Sequence, residues 1–188
     1  MTKTDLAHRA GLPDALRVLL NDYPRDIWES HRNFDGLTRF WLERHLMFRR
    51  ALGQWQADTQ TFLDKGRDAQ AHGQQTARLG SFLINELHGH HHIEDAHYFP
   101  VLSGAEPRLA RGFELLDADH HALDGQLTAL TDAANTHLAR LQDRSADQRA
   151  SAGQMLSTLT GFARFLDRHL IDEEELVVPT ILHHALRF

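Results

Sequence analysis

The chain has 188 residues, with 20 Lys plus Arg against 26 Asp plus Glu and a formal net charge of −6, so it exerts no long-range attraction on nucleic acid or anionic lipid. Cysteine is absent, which excludes disulfides, thiolate metal sites and cysteine nucleophiles together and leaves only N and O ligands for a metal. Histidine is the outlier at 15 residues, crowded into short segments that include His88 to His97, His120–His121 and His183–His184.

Length fits one domain, and the 41% hydrophobic and 24% charged content is that of a globular protein. No run approaches the roughly 18 apolar residues of a membrane span, and the first residues lack the apolar core of a secretory signal. A cytoplasmic protein is expected. Apolar residues recur at three- and four-residue spacing without strand alternation, which predicts an all-α fold. In chain order, a short helix over Pro13 to Leu20 belongs to an N-terminal extension, residues 1–24, ahead of a domain over 25–188. The first long helix runs from about Arg25 to Gly66 and the second from Arg67 to Phe99. Pro100 and Ser103 to Pro107 break the pattern before a third helix over Arg108 to Leu141. After Asp143 to Asp147 a fourth runs from Gln148 to Leu176, and Pro179 separates it from a short tail helix to Phe188. Four long helices with short connections predict an up-down-up-down four-helix bundle with short extra helices at both termini.

A repeat carries the chemistry. HHHIEDAHYFP from His90 and HLIDEEELVVP from His169 share the pattern His-x3-Glu-acid-x4-Pro, so His90, Glu94, Asp95 and Pro100 match His169, Glu173, Glu174 and Pro179. On the other two long helices, His45 precedes Leu52 and His120 precedes Leu127 by the same interval. Helical stripes place these groups among apolar residues. They read Phe34, Thr38, Trp41, His45, Phe48, Leu52; Leu83, Leu87, His90, Glu94, His97, Val101; Phe113, Leu116, His120, Leu123, Leu127, Leu130; and Leu159, Phe162, Leu166, His169, Glu173, Leu176. Buried carboxylates persist when paired or metal-bound. Two of them with four imidazoles on converging faces predict a pair of first-row ions, whether Fe, Mn, Zn or another, that Glu94 and Glu173 could bridge. His45 and His90 would cap one ion, His120 and His169 the other.

At these residues the chain resembles the hemerythrin-like family of HHE cation-binding domains, over roughly His31 to Pro179. The resemblance implies two Fe ions bridged by the two carboxylates and a small ligand such as O2, NO or peroxide. Where oxygen carriers of the family place a second histidine one turn after the first on the third helix, this chain has Asp124, which becomes a candidate carboxylate ligand.

Plainer explanations exist for single residues. An isolated His-x3-Glu is a solvated pair worth about 0.2–0.5 kcal/mol, and only the in-register repetition argues otherwise. His91 with Asp95 is a competing register about 100° round the helix, so His91 is an extra ligand or an outer-sphere group. His88 and His92 read as surface residues, His97 as a pocket residue or proton donor, and His31 as a polar residue at the bundle end. Trp41 and Phe48 read as core, and Asp172 to Glu175 as a solvated face apart from Glu173. The expected activity is binding or sensing of O2, NO or iron, with an oxidoreductase acting on peroxide, O2 or NO as the alternative. Nothing in the sequence sets an oligomeric state.

Overall fold

A computed structural model describes residues 5–66, 68–143 and 147–188. Among these the regular structure is entirely helical, and no helix is long and apolar enough to cross a membrane. The first expected helix forms as a 3₁₀ turn, Asp14–Leu16, followed by α1 (Val18–Asp22). Arg25–Ser30 is a further 3₁₀ segment, so the first long helix, α2 (Gly36–Lys65), starts later than expected. The cap explains the start: Asp35 Oδ1 accepts from the backbone N–H and the hydroxyl of Thr38, both at 2.8 Å. Gly66, at φ +61°, takes the left-handed conformation that closes α2.

Arg67 lies outside the described residues, and α3 (Ala69–Ile93) follows it. One wide π turn, Glu94–Tyr98, then leads directly into α4 (Phe99–Ala105). Pro100 therefore does not end the helix. It occupies the first turn of the new segment, where a backbone N–H is dispensable. After a 3₁₀ turn at Pro107–Leu109 comes α5 (Ala110–Gln142). The expected break from Asp143 to Asp147 includes 144–146, which lie outside the described residues; Asp147 Oδ1 caps the N–H of Ala150 at 2.9 Å near the start of α6 (Gln148–His184). This helix runs through Pro179 without stopping at Leu176, and there is no separate tail helix. An interior proline costs about 3 kcal/mol. Here Leu176 to Leu182 are all buried, and that burial outweighs the lost backbone hydrogen bond.

The chain divides into two compact units, each assembled from parts of α2, α3, α5 and α6. The first comprises the described residues of Met1–Leu46, His90–Ala122 and Phe165–Phe188. Its core joins Leu12, Trp28, Trp41, Phe99, Phe113 and Leu116 to Leu176 and Ile181. Its buried Arg9 binds Asp119 through both Nη atoms and donates from Nε to Asp172 at 2.7 Å. The second comprises Met47–Gly89 and Leu123–Arg164, with Trp55, Leu83, Leu130, Met155 and Leu159 fully buried. Gly80 lets the Trp55 ring lie against α3: a Cβ there would sit 2.9 Å from Trp55 Cη2.

Candidate metal centre

Every ligand candidate of the first unit interrupts an apolar stripe, so packing that buries the stripe also buries the ligand. On α2 the stripe buries Thr38, Trp41 and His45; on α5, Phe113, Leu116 and His120; on α6, Leu166, His169, Glu173 and Leu176. The end of α3 and the π turn after it bring in His90, His91 and Glu94. These side chains fall into two groups whose potential ligand atoms lie within 4.8 Å of one another: His45, His90, Glu94 and Glu173, and His91, His120 and His169. His45, Glu94, His169 and Glu173 are wholly buried.

The hydrogen bonds fix which nitrogens face inward. His45 Nδ1 lies 3.0 Å from Glu174 Oε1, His120 Nδ1 2.8 Å from Asp95 Oδ1, and His169 Nδ1 3.4 Å from Asp119 Oδ2. A carboxylate can only accept, so His45 and His120 carry a proton on Nδ1 and present a bare Nε2, whereas His169 has a carboxylate 3.4 Å from each nitrogen, Asp119 at Nδ1 and Glu173 at Nε2. Yet His120 Nε2 and His169 Nε2 stand 3.2 Å apart, and His45 Nε2 and His90 Nε2 3.0 Å apart. The bare Nε2 of His120 thus faces the Nε2 of His169, which in turn lies 3.4 Å from Glu173 Oε2, a cluster of donor atoms that suits a cation. His90 Nε2 also faces Glu94 Oε1 at 3.0 Å, so one N–H there cannot serve both neighbours. Glu94 Oε2, both Glu173 oxygens and both His91 nitrogens are buried without a hydrogen-bond partner. Five such atoms around facing imidazoles fit metal ions as the missing partners.

Residues 36–183 match the hemerythrin HHE cation binding domain. The chain belongs to this family. Among curated proteins and solved structures, none matches. The hemerythrin domain is a cation-binding helical bundle, and the two side-chain groups are where this one would hold its ions.

Around the ligands of this hemerythrin domain, the acid that follows each repeated glutamate acts across the repeat. Asp95, next to Glu94, orients His120, and Glu174, next to Glu173, orients His45. Such partners fix the tautomer and ring orientation and raise the basicity of the ligand. Glu174 is itself held by Arg25 at 2.7 Å. Asp119 links His169 to Arg9, which also binds Asp172; Asp172 accepts from the backbone N–H of Leu12 and from Arg168. Trp41 Nε1 donates to Glu94 Oε1 at 2.6 Å. Burial pushes His45 down to about 4 and carries His91 well below its usual range. For Glu94, burial opposes charge, but His90 and His45 outweigh it and hold the carboxyl well below normal. Burial, then the charge of Glu94, pushes Glu173 well above normal. The two carboxylates are thus pushed in opposite directions, and a bound cation would favour the charged form of both.

Sequence reading placed His45, His90, Glu94, His120, His169 and Glu173 together, and the structure gathers all six in the first unit. His91 joins them: its ring stacks on His120 with centroids 4.0 Å apart. Asp124 does not. The buried stripe of α5 runs through 116, 120, 123, 127 and 130, which leaves Asp124 at the solvent margin, 58% exposed and 3.7 Å from the exposed His88. His97 and Val101 are also exposed, because the π turn adds a residue to its turn and brings Tyr98, Phe99 and Leu102 inward in their place. Asp172 and Glu174 are buried outer-sphere groups, contrary to the solvated face expected. Trp41 is core and hydrogen-bond donor at once. His31 is half-buried, its Nδ1 accepting from the Asn33 N–H at 3.2 Å. Arg9 and Asp119 were missed; an arginine in a short N-terminal segment gives no periodic signal.

A cavity of about 20 Å³ reaches Glu94 beside the first group. Its wall includes Leu37, Trp41, Phe99, Val177 and Ile181, with Thr38 and Tyr98 the polar members besides Glu94. Space of this order holds about one water-sized molecule.

Proposed function

We propose that this chain is a non-haem di-iron protein, an up-down-up-down four-helix bundle in the cytoplasm, whose centre binds or senses O2, NO or iron. The observation that carries the reading is the pair of facing Nε2 atoms of His120 and His169, 3.2 Å apart and set among glutamate oxygens without a hydrogen-bond partner. His45 and His90 would hold one ion, His91, His120 and His169 the other, with Glu94 and Glu173 shared. Imidazole and carboxylate donors without thiolate suit iron, with manganese or zinc as competitors. An iron pair supplies electrons and open positions for a diatomic ligand or peroxide. The chain's own residues set the access: the apolar wall of the cavity excludes bulky and charged molecules from Glu94, and Trp41 steadies that carboxylate.

Metal analysis after expression with iron should return about two Fe per chain by this ligand count, with ferric oxo-bridge absorption in the aerobic protein. Glu94→Ala with Glu173→Ala should lose both. Zinc alone in the wild type, or unchanged iron in the double variant, overturns the reading.

One observation favours turnover as a second reading. Tyr98 lines the same cavity, and burial together with the charge of Glu94 raises its pKa, keeping a phenol proton available beside the centre. His97, the proton donor expected from sequence, is exposed. Peroxide consumption that drops at least tenfold in Tyr98→Phe, with iron content retained, would select the oxidoreductase; consumption no faster than free iron selects binding.

A further inference from the structure

The second unit contains a buried histidine pair that the di-iron reading does not use. His72 on α3 and His137 on α5 are both wholly buried, and their Nε2 atoms stand 3.0 Å apart. His72 Nδ1 lies 2.6 Å from Asp58 Oδ2, so the carboxylate takes its N–H. His137 Nδ1 lies 2.8 Å from Ser151 Oγ. Ser151 Oγ also lies 3.0 Å from the Gln148 carbonyl, and with its hydroxyl donating there it is placed to accept from His137 Nδ1. In that arrangement both rings carry their protons on Nδ1, and both bare Nε2 atoms point at each other.

Two facing lone pairs at this distance are not a hydrogen bond. Each is a buried acceptor without a donor, which costs about 1–3 kcal/mol. A metal ion relieves it without protonating either ring. Two nitrogen ligands about 2.0–2.1 Å from one tetrahedral ion stand about 3.3 Å apart, close to the spacing of this pair. The outer partners also suit a metal: carboxylate–imidazole and hydroxyl–imidazole contacts are how metal-binding histidines are oriented. The same signature, an Nδ1 on a carboxylate and an Nε2 about 3 Å from a second imidazole, marks His45 and His120 in the first unit.

A further donor is unspent. Thr76 is wholly buried one turn after His72 on the same face of α3, and its Oγ1 has no hydrogen-bond partner. Thr59, Thr131 and Thr180 donate instead to the carbonyl four residues back. Phe62 walls the pair, stacked on His72 at 4.4 Å and edge-on to His137 at 5.8 Å.

We propose that His72 and His137 form a second metal site, taking one divalent ion from the late end of the first-row series, such as Zn²⁺, between their Nε2 atoms with Thr76 as an oxygen donor. Two neutral imidazoles, one hydroxyl and a single carboxylate behind His72 suit that end of the series, where imidazole affinity is highest.

Crystals of the iron-loaded wild-type chain grown with Zn²⁺ should show an anomalous peak at the zinc edge between the two Nε2 atoms. In solution, the iron-loaded wild type should take up one Zn²⁺ per chain more than His137→Gln, with the iron absorption of both unchanged; that readout separates this site from the iron centre. Absence of the peak, together with ¹⁵N spectra of the wild type showing a protonated Nε2 on either ring at neutral pH, would establish a proton-sharing pair and overturn the proposal. Equal zinc uptake by wild type and a folded His137→Gln would overturn it as well.

Discussion

Asp95 and Glu174 should tune different ions from the ones that their sequence neighbours serve. Asp95 follows Glu94 but holds the Nδ1 of His120, so Asp95→Asn should loosen the ion held by His91, His120 and His169. Glu174→Gln should loosen the ion held by His45, His90 and Glu94, since Glu174 holds the Nδ1 of His45. Either amide can still accept a hydrogen bond, but it no longer carries the charge that makes the imidazole a stronger donor to metal. Losing such a partner costs about 10–100-fold in metal affinity, or about 1.4–2.8 kcal/mol. Exposure decides where each variant falls: the Asp95 side chain is 31% exposed, so water screens its charge, whereas Glu174 is 7% exposed beside a wholly buried His45. Asp95→Asn should therefore lie near tenfold and Glu174→Gln nearer a hundredfold. Iron removal by a competing chelator, with anomalous diffraction of partly stripped crystals to show which position empties first, measures both. If each variant emptied the position next to it in sequence, or if neither changed affinity twofold, the crossed assignment would fail.

Arg9→Met removes the cation from between Asp119 and Asp172, which are almost completely buried, and breaking a buried pair in this way costs about 3–5 kcal/mol. Urea denaturation should show that loss, and Arg9→Met with Asp119→Asn should lose less than the sum of the two single changes. The metal-free protein should weaken on acidification from about pH 6.5 toward pH 4. In that window unfolded His45 and His91 bind protons that the folded rings refuse, so stability rises with pH by up to about 1.4 kcal/mol per unit for each. Glu173, whose folded pKa is raised, contributes the opposite slope above its unfolded value, and a melting series across pH 4 to 7 reads the net effect. Gly80→Ala should cost about 1–3 kcal/mol, because the added methyl meets the rigid Trp55 ring. Thermal melting that matches the wild type would contradict that contact.

The six primary ligand candidates were legible in sequence because each interrupts an apolar stripe, and a stripe survives wherever the helix is regular. The reading failed where regularity did. The π turn displaced His97 and Val101, and Asp35 moved the start of α2 by its capping bonds, which hydrophobic spacing does not register. Pro100 and Pro179 looked like breaks, but one opens a segment and the other is outweighed by the buried residues around it. His72 and His137 were within reach. Extending the α5 stripe from Leu130 through Ala134 arrives at His137, and the α3 stripe read backwards from Leu83 through Leu79 and Thr76 arrives at His72. Arg9, Asp119 and Glu174 were harder to find, because a charged residue beside a ligand has the same sequence signature as one in water.

The single π turn at Glu94–Tyr98 works as a change of gear within one continuous rod. Upstream of it, the phase of the helix turns the ligand candidates His90, His91 and Glu94 inward; downstream, it turns Phe99 and Leu102 onto the apolar core. Deleting one residue between 95 and 98 would let the segment close as ordinary helix, with Phe99 then four places after Glu94 and still on the inward face. Because the extra residue absorbs the mismatch, changes of core packing below it need not drag the ligands out of alignment.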